Sequence, residues 1–280
     1  MNSKKIFEKI TKVLLHPEPY RVRFFRPLLK SIRNLDFKTR ILFDLMQRPH
    51  YGYCLWHASR LAKRLHVPEI VVIEMGVAGG RGLLCLERYA LAIESELGVA
   101  IKVIGFDMGE GGLPEPRDYR DCPQVWRSGF YKMDEKKLRE RISPNTELFI
   151  GDVSKTVDTF ASDGPPGPIG AILFDMDFHS STMDSFQIFD LPCLPRVMCY
   201  FDDIVHGDPI AGVNEFVGQA AAIDDYNDRS VSRKFARDRS LLAPRKLPAQ
   251  WNQQVYIHHD FDHHRYGDFV GTVDDQRWLP

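Results

Sequence analysis

Apolar side chains follow two different spacings along this chain, and the change between them divides it. Over the first 65 residues they recur at helical intervals: Ile6, Ile10, Val13 and Leu14, then Leu42, Leu45 and Met46, then Leu55, Ala58, Leu61 and Leu65. Pro17 and Pro19 separate the first group from the rest. From residue 69 short runs at strand length take over. Ile70–Ile73, Ile101–Asp107, Leu148–Ile150, Ile169–Phe174 and Arg196–Phe201 each read as a strand. Helical patterns run from the first of these through Leu97, near Asp134–Arg141, and over residues 213–226. Two further β-like runs, near Ser232–Leu242 and Gln254–His259, have no clear helix between them. Apolar strands alternating with helices predict a mostly parallel sheet covered on both faces. The last two strands predict a closing hairpin. The expected architecture is α/β and Rossmann-like, a seven-stranded sheet over residues 66–280 preceded by a helical extension or lid over residues 1–65.

Composition narrows this picture. A hydrophobic fraction of 44% in 280 residues is enough to fill a core. The formal net charge is -1, so the chain as a whole is not built to bind polyanions, and no nucleic-acid partner is expected. The charge is uneven, however. Residues 1–40 hold eleven Lys and Arg against Glu8, Glu18 and Asp36. Such a segment is either a solvated helical face or a peripheral contact with an anionic membrane surface. Five scattered cysteines without a C-x-x-C pair argue against a disulfide framework or a zinc ribbon. With no secretory leader pattern and no apolar run of about 20 residues, a cytoplasmic location is expected.

Two groups of residues carry chemistry. In the first, the strand Ile70–Ile73 runs through Glu74 into Gly76-Val77-Ala78-Gly79-Gly80-Arg81-Gly82 and then a helix. Glycine lets backbone approach a ligand closely, and in open α/β sheets this crevice at the carboxyl ends of strands holds cofactors. Ala78 breaks the G-x-G-x-x-G dinucleotide pattern counted from Gly76. Asp107, ending the second strand, sits where an acid accepts hydrogen bonds from a ribose diol. In the second group, Asp175-Met176-Asp177-Phe178-His179 closes the fourth strand and Asp202-Asp203 the fifth. Side chains alternate along a strand, so Asp175 and Asp177 should point the same way. Four converging carboxylates would repel one another, and a hard divalent cation relieves that repulsion.

Taken in order, these pieces resemble the macrocin O-methyltransferase (TylF-like) family. The resemblance rests on Glu74-Met75-Gly76-Val77, Gly105-Phe106-Asp107 with Gly112-Leu113-Pro114, Gly151-Asp152-Val153-x-x-Thr156, Asp175-x-Asp177-x-x-Ser180-Ser181-Thr182 and Asp202-Asp203. It spans roughly residues 50–225. It implies a class I methyltransferase that uses S-adenosylmethionine and Mg²⁺ or another divalent cation. The implied acceptor is a hydroxyl of a sugar or other natural product, a small molecule or glycan. Asp175, Asp202 and Asp203 match the metal ligands, and Asp177 the general base, with His179 and His206 as alternative bases. The positions expected against the cofactor are Glu74, Gly76, Val77, Gly79, Asp107, Met108, Asp152, Val153 and Asp175. The chain departs from the family at Phe178-His179, at Arg196-Val197-Met198, and in a loop after Asp107 one residue longer than usual.

Other features point less sharply. His258-His259-Asp260-Phe261-Asp262-His263-His264 is rich in metal-binding side chains, but strand alternation divides them between two faces. It reads as a solvated or substrate-facing strand end. Trp126, Phe130 and Tyr131 are candidates for covering a substrate or for ordinary packing. A homo-oligomer is expected. A metal-independent methyltransferase, a nicotinamide-dependent oxidoreductase and a non-catalytic binding module remain as alternatives.

Overall fold

The computed structural model describes residue 11 and residues 20–32, 35–242 and 247–271. The first predicted helical group and the break at Pro17 and Pro19 lie outside these residues. Helices α1 (Tyr20–Ser31), α2 (Phe37–Leu42) and α3 (Pro49–Arg64) precede β1 (Glu69–Met75). There follow α4 (Arg81–Leu97), β2 (Ala100–Asp107), α5 (Glu135–Arg139), β3 (Glu147–Ile150), α6 (Val153–Asp163) and β4 (Ile169–Phe174). The chain continues through α7 (His179–Ser185), β5 (Cys193–Phe201), α8 (Gly218–Arg229), β6 (Arg233–Arg237) and β7 (Val255–Asp260).

The strands form one seven-stranded sheet in the order β3-β2-β1-β4-β5-β7-β6. The first five are parallel, β7 runs antiparallel to β5, and β6 pairs antiparallel with β7. This is the expected Rossmann-like α/β sheet with a terminal hairpin. The hairpin is inserted so that its second strand, not its first, meets β5.

Successive residues of a strand face opposite sides, and here both sides are buried. Ile70 and Val72 of β1 join Ala171, Leu173 and Tyr200 in a core with α3 and α4. Val71, Ile73 and Met75 join Ile172, Phe174 and Phe201 in a second core with Val157 and Phe160 of α6 and Ala222 and Ile223 of α8. Helix α3 is therefore not peripheral, although it lies within the first 65 residues. Its Tyr51, Cys54, Leu55, Ala58 and Ala62 are fully buried against the sheet or very nearly so.

A hydrogen bond ties α3 to the segment after β6. Tyr53 donates its hydroxyl to Asp238 at 2.7 Å, and both residues are buried. Tyr53→Phe strands one carboxylate oxygen, so the unfolding free energy should drop by about 1–3 kcal/mol. Urea denaturation checks this, and an unchanged midpoint would mean that water replaces the phenol.

Several boundaries differ from the sequence reading. The helix carrying Leu42 ends there, and Leu45 and Met46 lie in the turn before α3. The helix expected from residue 213 begins at Gly218, after a loop over residues 205–217 that holds one 3-10 turn at Pro209–Ala211. Helix α6, which packs against β2 and β3, is not among the predicted helices, although Val153, Val157, Phe160 and Ala161 follow a helical spacing. All five cysteines are free.

Candidate active site

The sheet order reverses between β1 and β4, which follow opposite directions of winding, so their carboxyl ends bound a crevice. Gly76 turns the chain there with φ +89°. A Cβ on it would lie 1.8 Å from the Asp175 carbonyl oxygen, so β1 and β4 approach this closely only because residue 76 has no side chain. Gly80 opens α4, also at positive φ (+77°). Between them, the Asp107 carboxylate accepts hydrogen bonds from the Val77 and Ala78 amides at 2.9 and 2.7 Å, and from the Gly109 amide at 2.7 Å. Burial pushes the Asp107 carboxyl up, and these three amides oppose the shift.

Gly82 lets α4 pass against Glu74, where a Cβ would fall 1.6 Å from Glu74 Oε1. Glu74 is buried. Its Oε1 accepts the Tyr51 hydroxyl at 2.7 Å, while Oε2 has no protein partner. Tyr51 in turn accepts from Arg48 Nη1 at 3.0 Å, and Arg48 stands 3.7 Å from Asp175. Burial lifts the Glu74 carboxyl to about 8, against the pull of Tyr51 and Arg48. An unpartnered carboxylate oxygen in a cavity wall is a costly feature unless something polar comes to meet it.

The second predicted group assembles beside the first. One oxygen each from Asp175, Asp202 and Asp203 lies within 4.8 Å of the others. The alternation argument does not explain the position of Asp177, because β4 ends at Phe174 and the backbone turns at Asp177 with φ +60°. The turn is held by the Asp177 amide donating to Asp203 Oδ2 at 3.0 Å. A non-glycine residue in this region is strained unless its surroundings hold it there. Tyr200 donates to Asp202 Oδ1 at 2.6 Å, and the Asp203 amide donates to buried Gln219 at 3.0 Å. Burial, then the neighbouring acids, raise the carboxyl of Asp175 to about 7 and that of Asp177 to about 8. Asp203 is pushed well above the usual range for the same reasons.

Both groups open on one cavity of about 830 Å³. Its wall includes every position expected against a cofactor: Glu74, Gly76, Val77, Gly79, Asp107, Met108, Asp152, Val153 and Asp175. Asp177, Asp202, Asp203, Trp126, Tyr131 and His206 also line it. His179 is placed elsewhere. It is buried at the start of α7, with Nε2 3.1 Å from Asp225 and 3.5 Å from Arg120, and it is not part of the cavity wall. The histidine-rich segment is remote for a topological reason. Because β7 runs antiparallel to β5, its far end, where His259 pairs with Arg196, sits at the opposite edge of the sheet. There His258 stacks on Phe189 and meets the Tyr226 hydroxyl, while His259 meets Tyr266.

Sequence reasoning missed Arg48, Arg117, Asp184 and Gln250, all of which line the cavity, as does Ser181 of the motif after Asp177. Arg117 and Asp184 form an ion pair at 2.5 Å on the cavity wall. It also missed Asp121, whose buried carboxylate accepts the amide and hydroxyl of Ser180 and the Arg117 amide. That residue pins the loop after β2 onto α7. Arg48, Arg117, Asp121 and Gln250 reach the site from segments between the main elements and carry no local signal, while Asp184 is carried in by α7.

No protein-family model matches the chain, and no curated protein does. Among solved structures, the calicheamicin methyltransferase CalS11 is similar at 17% identity and TM-score 0.50, covering 86% of this chain and 92% of that one. The O-methyltransferase NovP is 15% identical, with TM-score 0.49, over 75% of this chain and 79% of its own. The mycinamycin-pathway methyltransferase MycE, solved with Mg and SAH, is 13% identical, with TM-score 0.41, over 80% of this chain and 52% of that one. The likeness to CalS11 shows that this chain shares the Rossmann-like fold on which that methyltransferase is built.

Proposed function

We propose that the protein is an S-adenosylmethionine-dependent methyltransferase acting on a hydroxyl of a small-molecule or glycan acceptor, with a divalent cation at Asp175, Asp202 and Asp203. One observation carries this reading: three carboxylates share a 4.8 Å cluster on the wall of the same cavity that the glycine turn opens. The donor set fits a hard cation, since all its ligands are oxygen and its acids are held uncomfortably close. The turn fits the cofactor in two ways. The unpartnered Glu74 Oε2 suits a cationic group, and Asp107, with three of its roughly four acceptor positions used by amides, keeps room for a hydroxyl.

The glycine turn, Glu74 and Asp107 would hold the cofactor, which would supply a methyl group from its sulfonium to the acceptor oxygen and leave as the thioether. Asp175, Asp202 and Asp203 would hold the cation, which would make an acceptor hydroxyl more acidic. Everything else falls to the chain. Asp177, its turn held by Asp203, lines the cavity beside the three carboxylates and is the proposed acceptor of the hydroxyl proton. Trp126 and Tyr131 wall the acceptor side and exclude water. Arg48, in the turn ahead of α3, brings a cation to the cavity wall.

Isothermal titration with S-adenosylmethionine and S-adenosylhomocysteine, in Mg²⁺ and then in EDTA, tests the reading. Micromolar binding of either is expected. Asp203→Asn should keep that binding while weakening Mn²⁺ binding at least about tenfold. Failure of the folded protein to bind either ligand, together with binding of a nicotinamide dinucleotide, would replace the methyltransferase reading with an oxidoreductase.

A further inference from the structure

Helix α1 shows solvent a stripe that its charges do not explain. Phe24 is 78% exposed, Leu28 60%, Phe25 51% and Ile32, just beyond the helix end, 43%. Phe24, Leu28 and Ile32 are spaced by four residues, so they stack along one side, with Phe25 beside them and its ring edge-on to Phe24 at 5.4 Å. The helix turns Val22, Arg26 and Leu29 partly inward. Its sequence, YRVRFFRPLLKS, has four cations and no acid, and Arg23 and Lys30 are exposed. A solvated helical face accounts for the cations but leaves four adjacent large apolar groups in water.

We propose that α1 docks the protein on an anionic membrane surface. An apolar stripe on an acid-free cationic helix suits the boundary between lipid headgroups and acyl chains. Each cation near such a surface strengthens binding by a factor of roughly five. The attachment is peripheral: α1 has 12 residues, and no helix among the described residues is long and apolar enough to cross a membrane. A second copy of the chain is a poorer occupant, because it would bring two acid-free cationic helices together. An acidic protein would satisfy the charges, but the broad exposed phenyl groups favour a lipid boundary, which accepts them without a preformed groove.

Sedimentation of the full chain with phosphatidylcholine vesicles, with and without phosphatidylglycerol, tests this. Binding should be at least about tenfold stronger to the phosphatidylglycerol vesicles and should weaken in high salt. Phe24→Ser with Phe25→Ser should abolish it, and Arg23→Glu with Lys30→Glu should weaken it by about tenfold or more, with unfolding midpoints unchanged. If the serine variant does not fold, the charge variant and the salt series still decide. The proposal is overturned if the folded protein ignores anionic vesicles, or if both variants bind as well as the parent. It is also overturned if light scattering shows that the serine variant breaks an oligomer while vesicle binding is absent throughout, which would assign the stripe to a second copy.

Discussion

Gly76→Ala is expected to abolish S-adenosylhomocysteine binding and to lower the unfolding free energy by about 2–5 kcal/mol. Two costs coincide at this position. An alanine at φ +89° is strained whatever the space around it, and its Cβ would lie 1.8 Å from the Asp175 carbonyl oxygen. Relief requires β1 and β4 to part at their carboxyl ends. That motion displaces Asp175, which belongs to the acid cluster, and the Val77 and Ala78 amides, which Asp107 holds. Stability and binding should therefore fall together. Gly79→Ala makes the control, since a Cβ there meets nothing within 4 Å. Its stability should match the parent, while its ligand affinity reports how near the cofactor comes. Equal stability of Gly76→Ala and the parent would show that the two strands are less tightly joined than described.

Without metal, the protein should lose stability as pH rises from 6.5 to 8.5, and a divalent cation should reverse the loss. Glu74 and Asp177 are raised to about 8 and Asp175 to about 7, from ordinary values of 4.5 for Glu and 3.8 for Asp. Over this range the unfolded chain has already lost these protons, whereas the folded chain still holds them. The folded state therefore binds more protons, and its advantage is present at low pH and lost as pH passes 7 to 8. The acids titrate as a coupled set, so about 3 kcal/mol is expected across the range, or roughly 6–12 °C in the unfolding midpoint. The range also silences the buried histidines. His50 and His258, lowered to about 3 by burial, favour the folded state increasingly as pH rises towards 6.5 and contribute nothing further above it. Mg²⁺ or Mn²⁺ should displace protons from the cluster and stabilise more at pH 8.5 than at 6.5. Asp202→Asn with Asp203→Asn should remove the metal effect. A midpoint flat across the range and indifferent to both ions would mean that the carboxylates are solvated and uncoupled.

The parts of the molecule that were legible in the sequence share a physical property. Each depends on neighbours in the chain. Strands β1 and β4 bury both faces, so Ile70–Ile73 and Ile169–Phe174 are unbroken apolar runs, and β2 is interrupted only at half-buried Lys102 before its terminal Asp107. The turn after β1 needs glycine at 76 because of its own φ, and the acids at 107, 175, 202 and 203 follow strand ends, which a parallel sheet gathers along one edge. That is enough to put each group at the carboxyl ends of strands, and the packed sheet opens both on one cavity.

What only tertiary structure decided depends on contacts between distant segments. Asp177 reaches the cavity wall beside the cluster through a turn fastened by Asp203, 26 residues away, and not by strand alternation. His179, two residues on, faces Asp225 on α8 because α7 starts between them and rotates its side chain out of the cavity. Arg48 reaches the site from a loop ahead of a helix that looked like part of an extension, and Tyr51 links it to Glu74. The histidine-rich segment is removed from the site by a single reversal of strand direction at β7. The sequence alone determined which residues could carry the chemistry, since backbone turns and strand ends are local. The fold determined which of them meet, because side-chain direction and long-range pairing are settled only when the segments pack.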